Sequence, residues 1–161
     1  MTKENKIKNS TIDQEEHDKF YKMAEEWWDP NGKFKTLHKF NPVRIAFIRE
    51  KIITHFNINP KNKKPFNKIK LLDVGCGGGL LCEPMSKLGA NVTGIDIVEK
   101  NIKTASAHSE ANNLPIKYMV NTVEDLAEKK TKYDVILNME VIEHVSDCLL
   151  YTSPSPRDSD S

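Results

Sequence analysis

Apolar positions in the first third of the chain recur at helical spacing. Phe20, Met23, Ala24 and Trp27 form an i, i+3, i+4, i+7 stripe, which predicts an amphipathic helix. Asp13 followed by Glu16 has the spacing of an N-terminal capping box, so the helix is expected to start there. Residues 1–12, mostly polar, are expected to be disordered. The run from Asp29 to Lys33, DPNGK, stops the helix with a turn. A second helix is predicted from about Pro42, with Ile45, Ile48 and Ile52 facing inward. Lys61 to Lys70 holds five lysines and reads as a solvated connector.

From Lys70 the period changes. KLLDVG is a short apolar run that ends in an acid and a glycine, and LLCEPMSKL follows at helical period. ANVTGID is a second strand, ending at Asp96. A helix follows from Val98 to about Asn112, then the strand IKYMVN, the short helix VEDLAEKK and the strand YDVILN, fully buried in type. Strands alternating with helices predict an α/β fold with a doubly wound parallel sheet. The division expected is a helical region with its connector over residues 13–69, an α/β region over 70–147, and an aperiodic tail over 148–161.

The chain has 161 residues, 29% of them charged, and a net charge of +1. Nothing in that balance argues for a nucleic-acid partner. No apolar run approaches the roughly 20 residues that span a bilayer. The first twenty residues lack a signal-peptide core and carry too many acids for a typical transit peptide. Cys76, Cys82 and Cys148 make neither a zinc nor a disulfide pattern, which fits a reduced, cytoplasmic protein.

Candidate chemistry begins at LLDVGCGGG, Leu71 to Gly79, a strand, a glycine-rich turn and a helix start. Gly75, Gly77 and Gly79 let the backbone approach a ligand, and the helix start supplies free N–H groups. A G-x-G-x-G pattern alone is weak evidence, because dinucleotide sites resemble it. Asp73 would repel a pyrophosphate but suits the sulfonium and ammonium of S-adenosylmethionine. Its bland alternative is a cap on the following turn. Asp96, 21 residues after Gly75, is placed to accept bonds from two ribose hydroxyls, which fits NAD and S-adenosylmethionine equally.

Ligands of open α/β sheets lie at the carboxyl ends of the strands, so Met139 to His144 should stand beside the cofactor. If this stretch is helical, Glu140, Glu143 and His144 share a face. They could hold Mg²⁺, Mn²⁺ or Zn²⁺, which would lower the pKa of a bound phenol. Alternatively His144 acts as a general base, or the segment is a solvated acidic turn.

Taken together, residues 70–147 resemble a class I S-adenosylmethionine-dependent methyltransferase, with DVGCGGG and VIEHV as the shared motifs. Phe20 to Ile48 is similar to the N-terminal region of the ubiquinone-biosynthesis O-methyltransferase family. That region supplies Trp27, Trp28, Asp29, Gly32, Leu37, His38, Asn41, Pro42 and Arg44. The resemblance covers residues 13 to 147 and implies a Rossmann-like fold of which about the first half is present. It implies methylation of phenolic hydroxyls on polyprenylated ubiquinone precursors, at both O-methylation steps. Cofactor contacts are implied at Arg44, Gly75, Asp96 and Met139, beside Asp73 and Gly77 from the residue reading. A divalent cation is implied at Glu140, Glu143 and His144 in some members. Arg44 would pair with the methionine carboxylate of the cofactor. Trp27 is expected in the core and Trp28 in a lid over the site. A bacterial, cytoplasmic enzyme touching the inner membrane peripherally, with other ubiquinone-biosynthesis proteins as neighbours, completes the implied picture.

The family pattern stops at Asp147. The string CLLYTSPSPRD that follows back-translates into bases resembling a transposase adapter used in sequencing libraries. Cys148 to Ser161 is therefore expected to be a non-native tail on a truncated fragment, one with an open sheet edge, marginal stability and no activity alone. Three rival readings share part of the pattern: another small-molecule methyltransferase, an NAD-dependent oxidoreductase, and a non-catalytic cofactor-binding module.

Overall fold

The computed structural model describes the backbone of residues 3–139 and the side chains of residues 14–139. Two helices lead, α1 (Lys3–Trp28) and α2 (Lys35–His55). An alternating series follows: β1 (Lys70–Val74), α3 (Cys82–Lys87), β2 (Asn91–Asp96), α4 (Glu99–Ala111), β3 (Lys117–Val120), α5 (Val123–Glu128) and β4 (Val135–Leu137). The strands form one parallel sheet in the order β3-β2-β1-β4. Asp73 of β1 pairs in register with Gly94 of β2 and Leu137 of β4, so the carboxyl ends of the central strands finish side by side.

Each face of the sheet carries its own apolar layer. Leu71 and Val92 face α2, α3 and α4, packing with Ile48, Ile52, Met85 and Ile102. Leu72, Val74 and Ile95 face the other way, against Leu126 of α5. Burial on both faces is why β1 reads as a continuous apolar run rather than an alternating one.

Several expectations need correction. α1 begins at Lys3, so residues 3–12 are its first turns rather than a disordered lead, and the expected cap at Asp13 lies inside the helix. Residues 3–12 contain neither glycine nor proline, and polar pairs three apart occur along exposed helix faces as readily as at caps. α2 starts at Lys35 and runs through Pro42. Pro42 removes one backbone donor, but burial of Asn41, Ile48 and Ile52 on the inner face sustains the helix around it. The basic connector is only partly solvated. Phe66 is fully buried and its N–H donates to the Leu88 carbonyl at 3.0 Å, pinning the segment beneath α3. β4 is not buried throughout: Ile136 is 60% exposed, because β4 is the edge of the sheet among the described residues.

Candidate cofactor site

The strand order reverses between β1 and β4, since β1 is followed by β2 on one side and joined by β4 on the other. Crevices at such reversals are where open α/β sheets bind ligands. A cavity of about 240 Å³ opens there. Arg44, Asp73, Gly75, Gly77, Asp96 and Met139, all expected from the sequence to contact a cofactor, line it together. They come from α2, the end of β1, the glycine loop, the end of β2 and the residues after β4, so only the fold brings them into one place. Glu140, Glu143 and His144, the expected metal or general-base group, lie outside the described residues. Among the described residues no three His, Cys, Asp or Glu side chains cluster closely enough to hold a metal ion.

The loop between β1 and α3 owes its shape to its glycines. Gly77 has φ +54°, and a Cβ there would come within 2.9 Å of the Trp27 ring. Gly79 has φ +89°, and a Cβ there would collide with the Tyr118 hydroxyl. Both positions thus require positive φ and a missing side chain at once.

Asp96 is anchored within this loop. One carboxylate oxygen accepts from the Gly77 N–H at 3.0 Å and from the Asn101 amide at 3.4 Å. The other accepts from the Val98 N–H at 2.9 Å. The carboxylate is fixed in direction and still lines the cavity, as a hydroxyl acceptor must be.

Asp73 is in a different state. It is 3% exposed, and its hydrogen bond comes from the Cys82 thiol at 3.3 Å rather than from a backbone N–H of the turn. Burial pushes its carboxyl up to about 7; the Cys82 thiol pulls down and the Asp96 carboxylate pushes up further. A cation entering the cavity would favour the ionised form of Asp73 and relieve its repulsion with Asp96. That donor set suits a ligand with a sulfonium and an ammonium and disfavours a pyrophosphate.

Beneath the loop, burial raises the pKa of the Cys82 thiol and of the Tyr118 phenol. The Tyr118 hydroxyl and one Glu83 oxygen are buried without a partner among the described residues. The other Glu83 oxygen pairs with His108 Nδ1.

Neither tryptophan is in the core, contrary to the expectation for Trp27; both are half-buried and both meet the glycine loop. Trp27 is partly exposed, stacks on Phe34 at 3.8 Å between centroids, lies over Gly77 and Gly78, and lines the cavity. Trp28, also half-buried, stacks on His108 at 4.1 Å with parallel rings. Sequence reasoning gave Asn101 no role; its position in the first turn of α4, directly after the strand ending in Asp96, was the available signal. Asn41 was noted only as part of a pattern. It lines the cavity from α2 and donates to the Leu80 carbonyl at 2.8 Å.

Known proteins match this arrangement. A family model described as a methyltransferase domain matches residues 72–151. The ubiquinone biosynthesis O-methyltransferase of Bartonella tribocorum is 52% identical over 148 residues, 92% of this chain and 60% of that protein. The protein of the same name from Pelagibacter ubique is 55% identical over 148 residues, 92% of this chain and 61% of its own. The chain thus spans about three fifths of the length of these relatives. Among solved structures, magnesium protoporphyrin IX methyltransferase from Synechocystis PCC 6803, with bound SAM, aligns with TM-score 0.50 and 25% identity over 69% of this chain and 50% of that one. With its glycine loop and its anchored Asp96, the chain carries a methyltransferase domain in the Rossmann-like fold of S-adenosylmethionine-binding methyltransferases, and it is similar to proteins named ubiquinone biosynthesis O-methyltransferase.

Proposed function

We propose that this chain is the cofactor-binding part of an O-methyltransferase that methylates phenolic hydroxyls of polyprenylated ubiquinone precursors, at both O-methylation steps of the pathway. The observation that carries the reading is the single cavity shared by Arg44, Asp73, Gly75, Gly77, Asp96 and Met139. The 51–55% identity to relatives of that name supports the acceptor class.

S-Adenosylmethionine, when bound, supplies an electrophilic methyl group on a sulfonium. Asp96 would accept from its ribose hydroxyls, and Gly77 would give its backbone close approach. The Arg44 guanidinium would pair with its methionine carboxylate, and Asp73 would set a negative charge facing its cationic groups. Met139, packed against the core at the end of β4, would form the wall on the acceptor side. The bound cofactor would supply its methyl group to the acceptor's phenolate oxygen, a C–O bond forming as the S–C bond breaks, with S-adenosylhomocysteine as the leaving product that keeps the electron pair. The chain's task is positioning two reactants and favouring the phenolate over the phenol.

For the phenol's proton, Glu140, Glu143 and His144 are the candidate group. They would either hold Mg²⁺, Mn²⁺ or Zn²⁺ against the phenol or, through His144, take the proton directly. Among the described residues no helix is long and apolar enough to cross a membrane. The polyprenyl tail of the acceptor supports peripheral contact of a cytoplasmic enzyme with the inner membrane, near other proteins of the pathway.

The test is methyl transfer from labelled S-adenosylmethionine to a short-chain prenylated catechol by the full-length protein, before and after chelation. Labelled product whose yield falls on chelation and returns with a divalent cation supports both parts. Transfer indifferent to chelation leaves His144 as the base. No transfer to any prenylated phenol overturns the acceptor assignment.

A further inference from the structure

Two side chains from the N-terminal helices reach the glycine loop from above. Trp28 Nε1, at the end of α1, donates to the Gly78 carbonyl at 3.1 Å. Asn41 Nδ2, on the inner face of α2, donates to the Leu80 carbonyl at 2.8 Å, a buried bond. The two acceptors are two residues apart on the segment whose backbone shapes the cofactor cavity. Trp28 is itself held from behind. Its ring lies parallel on His108 of α4, and His108 Nδ1 pairs with the fully buried Glu83 of α3. Glu83 lies in the first turn of α3, directly after the loop, so the chain of contacts runs from the loop through Trp28, His108 and Glu83 back to the helix that the loop begins.

We propose that Trp28 and Asn41 are positioning residues for the cofactor, forming a clasp that keeps the Gly77–Leu80 segment in its binding-competent shape, with the Glu83–His108 pair setting the Trp28 ring. The clasp rests on the reading of the cavity as the S-adenosylmethionine site. Its physical basis is the conformational freedom of a glycine-rich segment. Successive glycines at 77, 78 and 79 give the free loop many alternative shapes. A ligand that binds one shape sees its affinity reduced by the fraction of protein in that shape. Fixing two carbonyls of the loop from helices outside the α/β region raises that fraction, Trp28 from outside the cavity lining and Asn41 from its wall. It also gives the pair WW and the asparagine of NP a cofactor-directed purpose that packing alone does not demand. Trp28→Phe keeps the stack on His108 and loses only the N–H; Asn41→Leu keeps the volume and loses the amide.

The decisive measurement is calorimetric titration of S-adenosylhomocysteine into the full-length protein and its Trp28→Phe, Asn41→Leu and Lys103→Ala variants, with KM and kcat for methyl transfer beside it. Lys103 ties α4 to Glu16 of α1 at 2.7 Å on the surface and touches no part of the loop, so its variant reports loosening of α1 alone. Each clasp variant is expected to bind about tenfold more weakly, the scale of a hydrogen bond lost with its buried acceptor left unpaired. KM for S-adenosylmethionine should rise with it, while KM for the acceptor and kcat at saturation stay unchanged and Lys103→Ala matches the parent. Equal binding by parent and Trp28→Phe overturns the clasp and leaves the site assignment standing. So does an Asn41→Leu effect confined to thermal stability. Should Asn41→Leu not fold, the conservative Trp28→Phe decides. No binding by the unsubstituted protein overturns both the clasp and the site.

Discussion

The glycine loop is held from below by groups that burial penalises and from above by groups that keep partial contact with water. Below lie Asp73, 3% exposed, the Cys82 thiol, and the Tyr118 hydroxyl, which has no partner among the described residues. Above lie Trp27, partly exposed and stacked on Phe34, and Trp28, bonded to the Gly78 carbonyl. The floor gathers acidic groups that burial holds toward their neutral forms, together with unpaired polarity, where a cationic ligand would pass and favour ionisation of Asp73, and it costs stability to do so. The roof is satisfied and costs little. The contrast separates two contributions to one site: electrostatics from the sheet, shape from the N-terminal helices.

The largest expected effect breaks the floor. Gly79→Ala puts a Cβ into the Tyr118 hydroxyl at a residue with φ +89°. Thermal denaturation should show a loss of roughly 3 kcal/mol or more. Adding Tyr118→Phe should recover the collision part and leave the strain of the backbone, about 1–2 kcal/mol. An unchanged melting temperature in Gly79→Ala would show that the loop is not braced on Tyr118.

Asp73→Asn should separate charge from fold. The folded-state value of about 7 stands well above the ordinary 3.8. Between the two, the folded protein keeps a proton that the unfolded chain has released. The stabilisation from this group is therefore complete below pH 3.8, falls as pH rises, and is gone above pH 7. Asparagine does not ionise, so its stability relative to the parent should improve between pH 4 and pH 8 by on the order of 3–4 kcal/mol. S-Adenosylmethionine binding should weaken in the same variant. A pH-independent difference between the two proteins would contradict the buried charge.

The roof predicts the opposite balance. Trp27→Ala should lose only about 1–2 kcal/mol of stability, because the ring is partly exposed, while cofactor affinity falls about tenfold. A stability loss with unaltered affinity would place Trp27 in the core after all. The smallest effect is expected from Lys103→Ala, whose ion pair with Glu16 lies at the surface. No measurable change in melting temperature is expected there.

Much of the floor was legible in the chain. Strand period, the G-x-G-x-G spacing and an acid at the end of each of two strands are local signals, and Asp73, Gly75, Gly77 and Asp96 follow from them with one topological rule. The roof was not legible by the same means. That Trp27 covers the loop while Trp28 stacks on His108 and bonds the Gly78 carbonyl depends on how α1 crosses α4, and no spacing within α1 records that. Asn101 and Asn41 matter through contacts with Asp96 and Leu80, five and thirty-nine residues away. Phe66 is a lone aromatic inside a lysine run, so composition hid a residue that is fully buried. The start of α1 escaped because a polar pair three apart has the same spacing inside a helix as at its cap.

The central claim is that the cavity at the β1–β4 reversal takes S-adenosylmethionine rather than a dinucleotide. Calorimetric titration of the full-length protein with S-adenosylhomocysteine and, separately, with NADH tests it most directly. Saturable one-to-one heat with S-adenosylhomocysteine, weakened by Asp96→Ala, and no heat with NADH is the predicted result. Saturable binding of NADH without binding of S-adenosylhomocysteine would contradict it.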